Sequence, residues 1–275
     1  MQRHNASGWR RRGRAVAHVV GSVLMLTALS ACVSPGSSTA PAPDDAAKAA
    51  AVMRIVDKGM ADYHLRSAIV RVTIDGRDIV TAARGESLTG FPATTDMHFR
   101  NGAVAISYVS TLLLVLADET EKVVSLDDKV SKWLPQLPHA DEVTLEQLAT
   151  MTSGYQDYVP DPAFGAAIYA DPFRQWTPEE LLAYVVDKPL WYVPGKNWNY
   201  AHTNYVILGL ALEKATGRPI NDLLQEKVLG PLGLTNTIDP GNASIAAPVL
   251  HAYSSERRFA LGIPAGDPFY EETTF

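Results

Sequence analysis

Acyl transfer through a side-chain nucleophile needs a hydroxyl at a helix N-terminus, a base within hydrogen-bond reach and two donors facing the oxyanion. Few stretches of this 275-residue chain offer such groups. Ser107 and Ser110 lie in the nearly continuous apolar run 103–117, on the helix face that Ala103 would share. Three residues beyond them stand Ser110 and Leu113, so neither serine has a lysine on its face. Their expected partners are carbonyls one turn back. Ser153 closes Met151-Thr152-Ser153 before Gly154 and reads as a helix C-terminal cap, where the dipole disfavours an alkoxide. Tyr200 and His202 put a phenol and an imidazole two residues apart, and the imidazole titrates near neutral pH. His98, His139, His202 and His251 are scattered without metal-ligand spacing, and no glycine-rich phosphate loop follows a strand. No metal and no cofactor is expected.

The elements that must hold these groups follow from local pattern. Asn101 and Gly102 are plausible caps for a helix over 103–117, and an almost wholly apolar helix belongs in an interior. It is too short and too rich in hydroxyls for a membrane span. Val52, Ile55, Val56, Gly59, Met60 and Tyr63 recur at helical spacing. Val70, Val72 and Ile74 alternate as one face of a strand, Asp75-Gly76 is a hairpin turn, and 78–84 is the return strand. Thr144 with Gln147, and Thr177 with Glu180, are capping boxes, the second with Pro178 at N1 and opening a helix to about Asp187. The stretch 155–175 reads as irregular. Helices are expected over 204–216, stopped by Gly217, and over 219–229. Beyond Ile238 no strand of convincing length is expected.

The first fourteen residues hold Arg3, Arg10, Arg11, Arg12 and Arg14 and no acid, and an apolar run leads to Leu29-Ser30-Ala31-Cys32. This predicts a lipoprotein signal peptide over 1–31, with Cys32 the lipid attachment point, a flexible tether over 32–45 and one domain over 46–275. Cys32 is the sole cysteine, which removes any disulfide framework. More than one acyl chain at Cys32 gives stable anchoring, so the expected partner is a membrane and the expected place its extracytoplasmic face. Loss of the five leader arginines takes the net charge from −6 to −11, which excludes nucleic acid as a partner. A hydrophobic content of 47% supports a real core.

Phe99-Arg100-Asn101-Gly102, the run Ser125 to Pro135, Met151-Thr152-Ser153-Gly154, Tyr200-Ala201-His202 and the run Gly230 to Thr237 together resemble the serine β-lactamase and DD-peptidase-like hydrolases, from about Ala46 to His251. The resemblance implies a mixed α/β (α+β) fold, an antiparallel sheet flanked by helices plus a helical lobe. It also implies a further helix and strands that are not present, so the chain reads as incomplete at the C-terminus. That family opens its central helix with Phe-Arg-x-Gly-Ser-x-x-Lys. Here Ala103 holds the nucleophile position and Ile106 the lysine position, which reads as a site refilled with apolar packing. Tyr200 matches the motif tyrosine that shuttles protons, and His202 stands where the family's asparagine holds substrate. No Lys-[Ser/Thr]-Gly follows Tyr200, and Lys214-Ala215-Thr216-Gly217 has the wrong length. The resulting expectation is a lipid-anchored, hydrolase-like protein with a cleft for a peptidoglycan-type peptide or other small ligand, without acyl-enzyme chemistry. The alternatives are an active hydrolase with Ser107 as substitute nucleophile, served by Tyr200 or His202, and a non-catalytic envelope scaffold.

Overall fold

The computed structural model describes residues 43–120, 122–242, 244–259, 261–265 and 271–272. Cys32, the signal peptide 1–31 and nearly all of the tether lie outside the described residues. Helix α1 (Pro43–Tyr63) begins inside the segment 32–45 read as tether. Proline suits a first helical turn, and Asp44 and Asp45 complement the dipole there. The buried Asp45 also accepts a hydrogen bond from Arg77 at 2.7 Å, which ties α1 to the sheet.

The sheet consists of β1 (Ser67–Ile74), β2 (Arg77–Leu88) and β3 (Phe91–Pro92), antiparallel and in that order. Asp75 (φ 51°) and Gly76 (φ 74°) are both left-handed, the geometry that a tight hairpin turn demands. Val70, Val72 and Ile74 are half-buried while Arg71 and Thr73 are exposed, so the alternation of β1 is observed. The return strand runs four residues past Arg84 because β2 goes on to pair with β3. Ser87 on β2 donates to the Val249 carbonyl and accepts from the His251 amide, both at 2.9 Å. The late part of the chain is thereby fastened to the sheet. The short strands β4 (Tyr253–Ser254) and β5 (Glu271–Glu272) pair with each other.

The central apolar run departs from expectation at its start. Gly102–Val104 forms a 3-10 turn, and α2 proper is Ala105–Asp118. The Asn101 side chain makes no cap, and Gly102 instead bends the chain at φ +56°. Nor is the run interior throughout. Residues 101–105 are exposed, and so is Leu114 at 56%; only Leu112, Leu113 and Leu116 are fully buried. Apolar composition removed the periodicity that would have shown which face packs.

The core is helical. The buried α2 leucines cluster with Leu145 and Leu148 of α3 (Leu145–Ala149), with Ile207, Leu208, Ala211 and Leu212 of α6 (His202–Thr216), and with Leu223 and Leu224 of α7 (Ile220–Leu224). Helix α3 carries the complete capping box, with Gln147 N donating to Thr144 Oγ1 at 3.2 Å and Thr144 N donating to Gln147 Oε1 at 3.0 Å. Helix α4 (Pro162–Ala170) interrupts the stretch read as irregular. Its start signal was local: the Asp161 carboxylate accepts from the Ala163 and Phe164 amides, and Pro162 follows. Helix α5 (Pro178–Leu182) has its capping box but stops short of Asp187, giving way to turns in which Val185 and Val186 both donate to the Leu182 carbonyl. Helix α6 ends at Gly217 with φ 68°, and α7 continues as a wide turn over Gln225–Leu229. Among the described residues no helix is long and apolar enough to cross a membrane.

Candidate functional site

The site is built on the first turn of α6. Its N-cap residue, Ala201, has no side chain that can accept a hydrogen bond, so the orphan amides there need a partner from elsewhere. The segment 153–157 supplies one such partner, Asp157, and holds the first turn by two side-chain contacts besides. Ser153 Oγ donates to Asn204 Oδ1 at 2.5 Å, Thr203 Oγ1 donates to the Gln156 carbonyl at 2.7 Å, and the His202 amide donates to Asp157 Oδ1 at 3.2 Å. Ser153 is therefore not the helix cap expected from the sequence. It lies four residues beyond α3, fully buried, and its oxygen also accepts the Tyr155 amide at 3.1 Å.

A second segment, 191–199, runs beside the first and sets Tyr200. The Trp191 amide donates to the Gly154 carbonyl at 2.9 Å, Gly195 to Thr152 at 2.8 Å and Asn199 to Met151 at 3.1 Å. Gly154 has φ +90°, and a Cβ there would stand 2.4 Å from the Tyr192 carbonyl oxygen. The close approach of the two segments thus requires glycine at this position.

Tyr200 and His202 meet edge to face, with ring centroids 5.0 Å apart and planes at 89°. Each is 37% exposed, so both are reachable from solvent. His202 Nδ1 lies 3.1 and 3.2 Å from the two oxygens of Asp157, whose side chain is 9% exposed. Burial pushes the Asp157 carboxyl up. The hydrogen bonds from the His202 ring and the Val159 and His202 amides, with the histidine's charge, outweigh it and hold the carboxyl below its usual range. A carboxylate only accepts, so Nδ1 carries the proton and Nε2 of the neutral ring is the acceptor. Tyr158, packed 6.0 Å from the imidazole, is pushed up to about 12 by burial and by Asp157 and Tyr200, and stays a neutral phenol.

A group depressed on folding contributes stability that is full above its unfolded pKa and is lost as pH falls through the folded one. Asp157→Asn is expected to cost progressively less stability as the pH falls below about 4, read from urea midpoints across pH. A pH-independent difference would contradict the pairing.

The mouth of α2 holds different groups. Ala103 sits exposed in the 3-10 turn, so its position is not filled by packing, and Ile106 is half-buried. Ser107 is exposed and donates to the Val104 carbonyl at 2.7 Å. Ser110 donates to the Ile106 carbonyl at 2.9 Å and accepts from the Tyr205 hydroxyl at 2.5 Å. Both serines thus spend their hydroxyl on a carbonyl one turn back, as their place inside a helix predicts. Among the described residues no hydrogen bond or ring contact joins Ala103, Ile106 or Ser107 to Tyr200 or His202. The Ser110–Tyr205 bond is the polar tie between α2 and α6, one turn further along each helix.

On another side of that crossing lies a cavity of about 1040 Å³, walled by Val104, Ala105, Tyr108 and Val109 of the α2 region and by Tyr205, Val206, Gly209 and Leu210 of α6. Asn101 and Gly102 form part of its wall, but Ala103, Ile106, Ser107, Tyr200 and His202 do not line it. Among the described residues no three His, Cys, Asp or Glu side chains are grouped to hold a metal ion. The residue of this candidate site that no sequence pattern indicated is Asp157. It lies in the stretch read as irregular, 45 residues from its partner, where no spacing rule reaches it.

The Beta-lactamase family model matches residues 52–273. Penicillin-binding protein 4 of Amycolatopsis lactamdurans is 32% identical over 189 residues, covering 63% of this chain and 44% of that protein. Esterase EstB of Burkholderia gladioli is 29% identical over 210 residues, covering 71% of this chain and 53% of that one. Among solved structures, a D-stereospecific amidohydrolase from Streptomyces sp. superposes with a TM-score of 0.69 at 30% identity, covering 82% of this chain and 64% of that one. The chain spans about half the length of the two curated relatives.

Proposed function

The chain belongs to the Beta-lactamase family, within the fold of the β-lactamases and transpeptidases, and from that premise we propose that it is a lipid-anchored envelope protein that forms no acyl-enzyme. The observation that carries this reading is the pair Ala103 and Ile106. A methyl group stands where attack requires a hydroxyl, and an alkyl chain stands where the base should be. The exposed Ser107 offers no substitute, because it lies within the helix and its hydroxyl is bonded to Val104. What persists is an exposed pair of polar rings, Tyr200 and His202, for a peptidoglycan-type peptide or another small ligand. Relatives described as penicillin-binding protein and D-alanyl-D-alanine carboxypeptidase/endopeptidase motivate that ligand class.

Fluorescent penicillin is expected to leave the purified protein unlabelled; a stoichiometric adduct would overturn the reading. Anchoring rests on Leu29-Ser30-Ala31-Cys32 alone. Cells fed a palmitate analogue should label the wild-type chain and lose the label entirely in Cys32→Ser. Equal labelling of both would place the lipid elsewhere.

A further inference from the structure

We propose that Asp157 and His202 form a water-activating base, so that the chain hydrolyses small activated carboxylic esters without a covalent intermediate. The inference rests on the absence of acyl-enzyme chemistry argued above, and assigns the site a different nucleophile, water. Four features of the pair carry it. Asp157 is itself immobilised, because Oδ1 accepts the Val159 and His202 amides while both oxygens face Nδ1. The imidazole is therefore fixed in orientation and in tautomer. Its Nε2 has no hydrogen-bond partner among the described residues, and the ring is exposed enough to meet a solvent-borne molecule. Tyr200, in edge contact with the ring, likewise has a hydroxyl without a partner among the described residues, a donor beside the base. The titratable groups facing His202 are Asp157, Tyr158 and Tyr200; Asp157 is held as the carboxylate and Tyr158 as the neutral phenol.

The step balances without a co-reactant. Nε2 takes a proton from water as the water oxygen bonds to the ester carbonyl carbon, and the carbonyl π pair moves onto its oxygen. As that pair returns, the bond from carbon to the alkoxy oxygen breaks, and the imidazolium gives its proton to the departing alkoxide. Ester and water become acid and alcohol. A positioned base contributes about 10²–10⁴-fold. That acceleration suffices for esters with good leaving groups and falls far short of what an amide requires, which sets the substrate class.

The test uses the full purified chain with p-nitrophenyl acetate as probe. The wild type is expected to exceed the buffer rate, on a pH profile that rises as an imidazole deprotonates. His202→Gln should lower kcat by about 100-fold or more at unchanged far-ultraviolet circular dichroism. Asp157→Asn should lower kcat about tenfold at unchanged KM, because the imidazole loses the partner that fixes its tautomer and orientation. Added imidazole should raise the turnover of His202→Ala saturably and above the rate of the same imidazole concentration without protein, which a purely structural histidine would not allow. A wild-type rate equal to buffer, wild-type turnover in His202→Gln, or no rescue of His202→Ala would each overturn the proposal. Turnover abolished by a fluorophosphonate together with one added adduct mass would instead contradict the absence of an acyl-enzyme, so the two failures are distinguishable.

Discussion

Leu208→Ala is expected to destabilise the protein by about 2–5 kcal/mol, the range for truncating a fully buried leucine where the surroundings collapse only partly. Leu208 is 0% exposed on α6 and belongs to the cluster that gathers α2, α3, α6 and α7. The loss should show as a lower urea midpoint at unchanged slope. Leu114→Ala is the informative control. That leucine lies in the middle of the most apolar run of the chain yet is 56% exposed, so its truncation should stay within about 0.5 kcal/mol. Comparable losses at both positions would mean that α2 is buried all round, against the structure.

Gly154→Ala is the second large effect. Its φ of +90° is strained for any residue with a Cβ, and that Cβ would stand 2.4 Å from the Tyr192 carbonyl oxygen. Neither atom is the end of a flexible side chain, so a backbone segment has to move, at a cost of at least about 2 kcal/mol. The segments that would part are those that set Tyr200 and clamp the start of α6. The variant should therefore also shift the His202 ring resonances, where Leu208→Ala should leave them in place. Gly165 lies within α4, where an added Cβ would meet nothing within 4 Å. Gly165→Ala is accordingly expected to be neutral or stabilising by up to about 1 kcal/mol. A thermal midpoint that treats both alanines alike would remove the steric argument.

What the sequence made legible was local chemistry. The Asp75-Gly76 turn and the capping boxes at Thr144 and Thr177 each depend on residues a few positions apart, and each forms as read. Asp161-Pro162 carried a signal of the same kind, obscured by the aromatic and proline residues around it. The face of α2 was not legible, because a run with so few polar positions has no periodicity to reveal which side packs. For the candidate site, Tyr200 and His202 could be singled out only by resemblance to a motif, and the structure gives them a ring contact but no described contact with Ala103 or Ile106. Asp157 and the buried Ser153–Asn204 bond join positions about fifty residues apart or slightly closer, through a packing that no short-range rule encodes. The exposed Ala103 also corrects the idea of a refilled site: the position that the resemblance assigns to the nucleophile is open to solvent.

The central claim is that no side chain of this protein forms an acyl-enzyme. Intact-protein mass spectrometry after incubation with a fluorophosphonate tests it most directly. The expected result is an unchanged mass; an increase by one adduct, mapped by peptide fragmentation to Ser107 or any other serine, would contradict it.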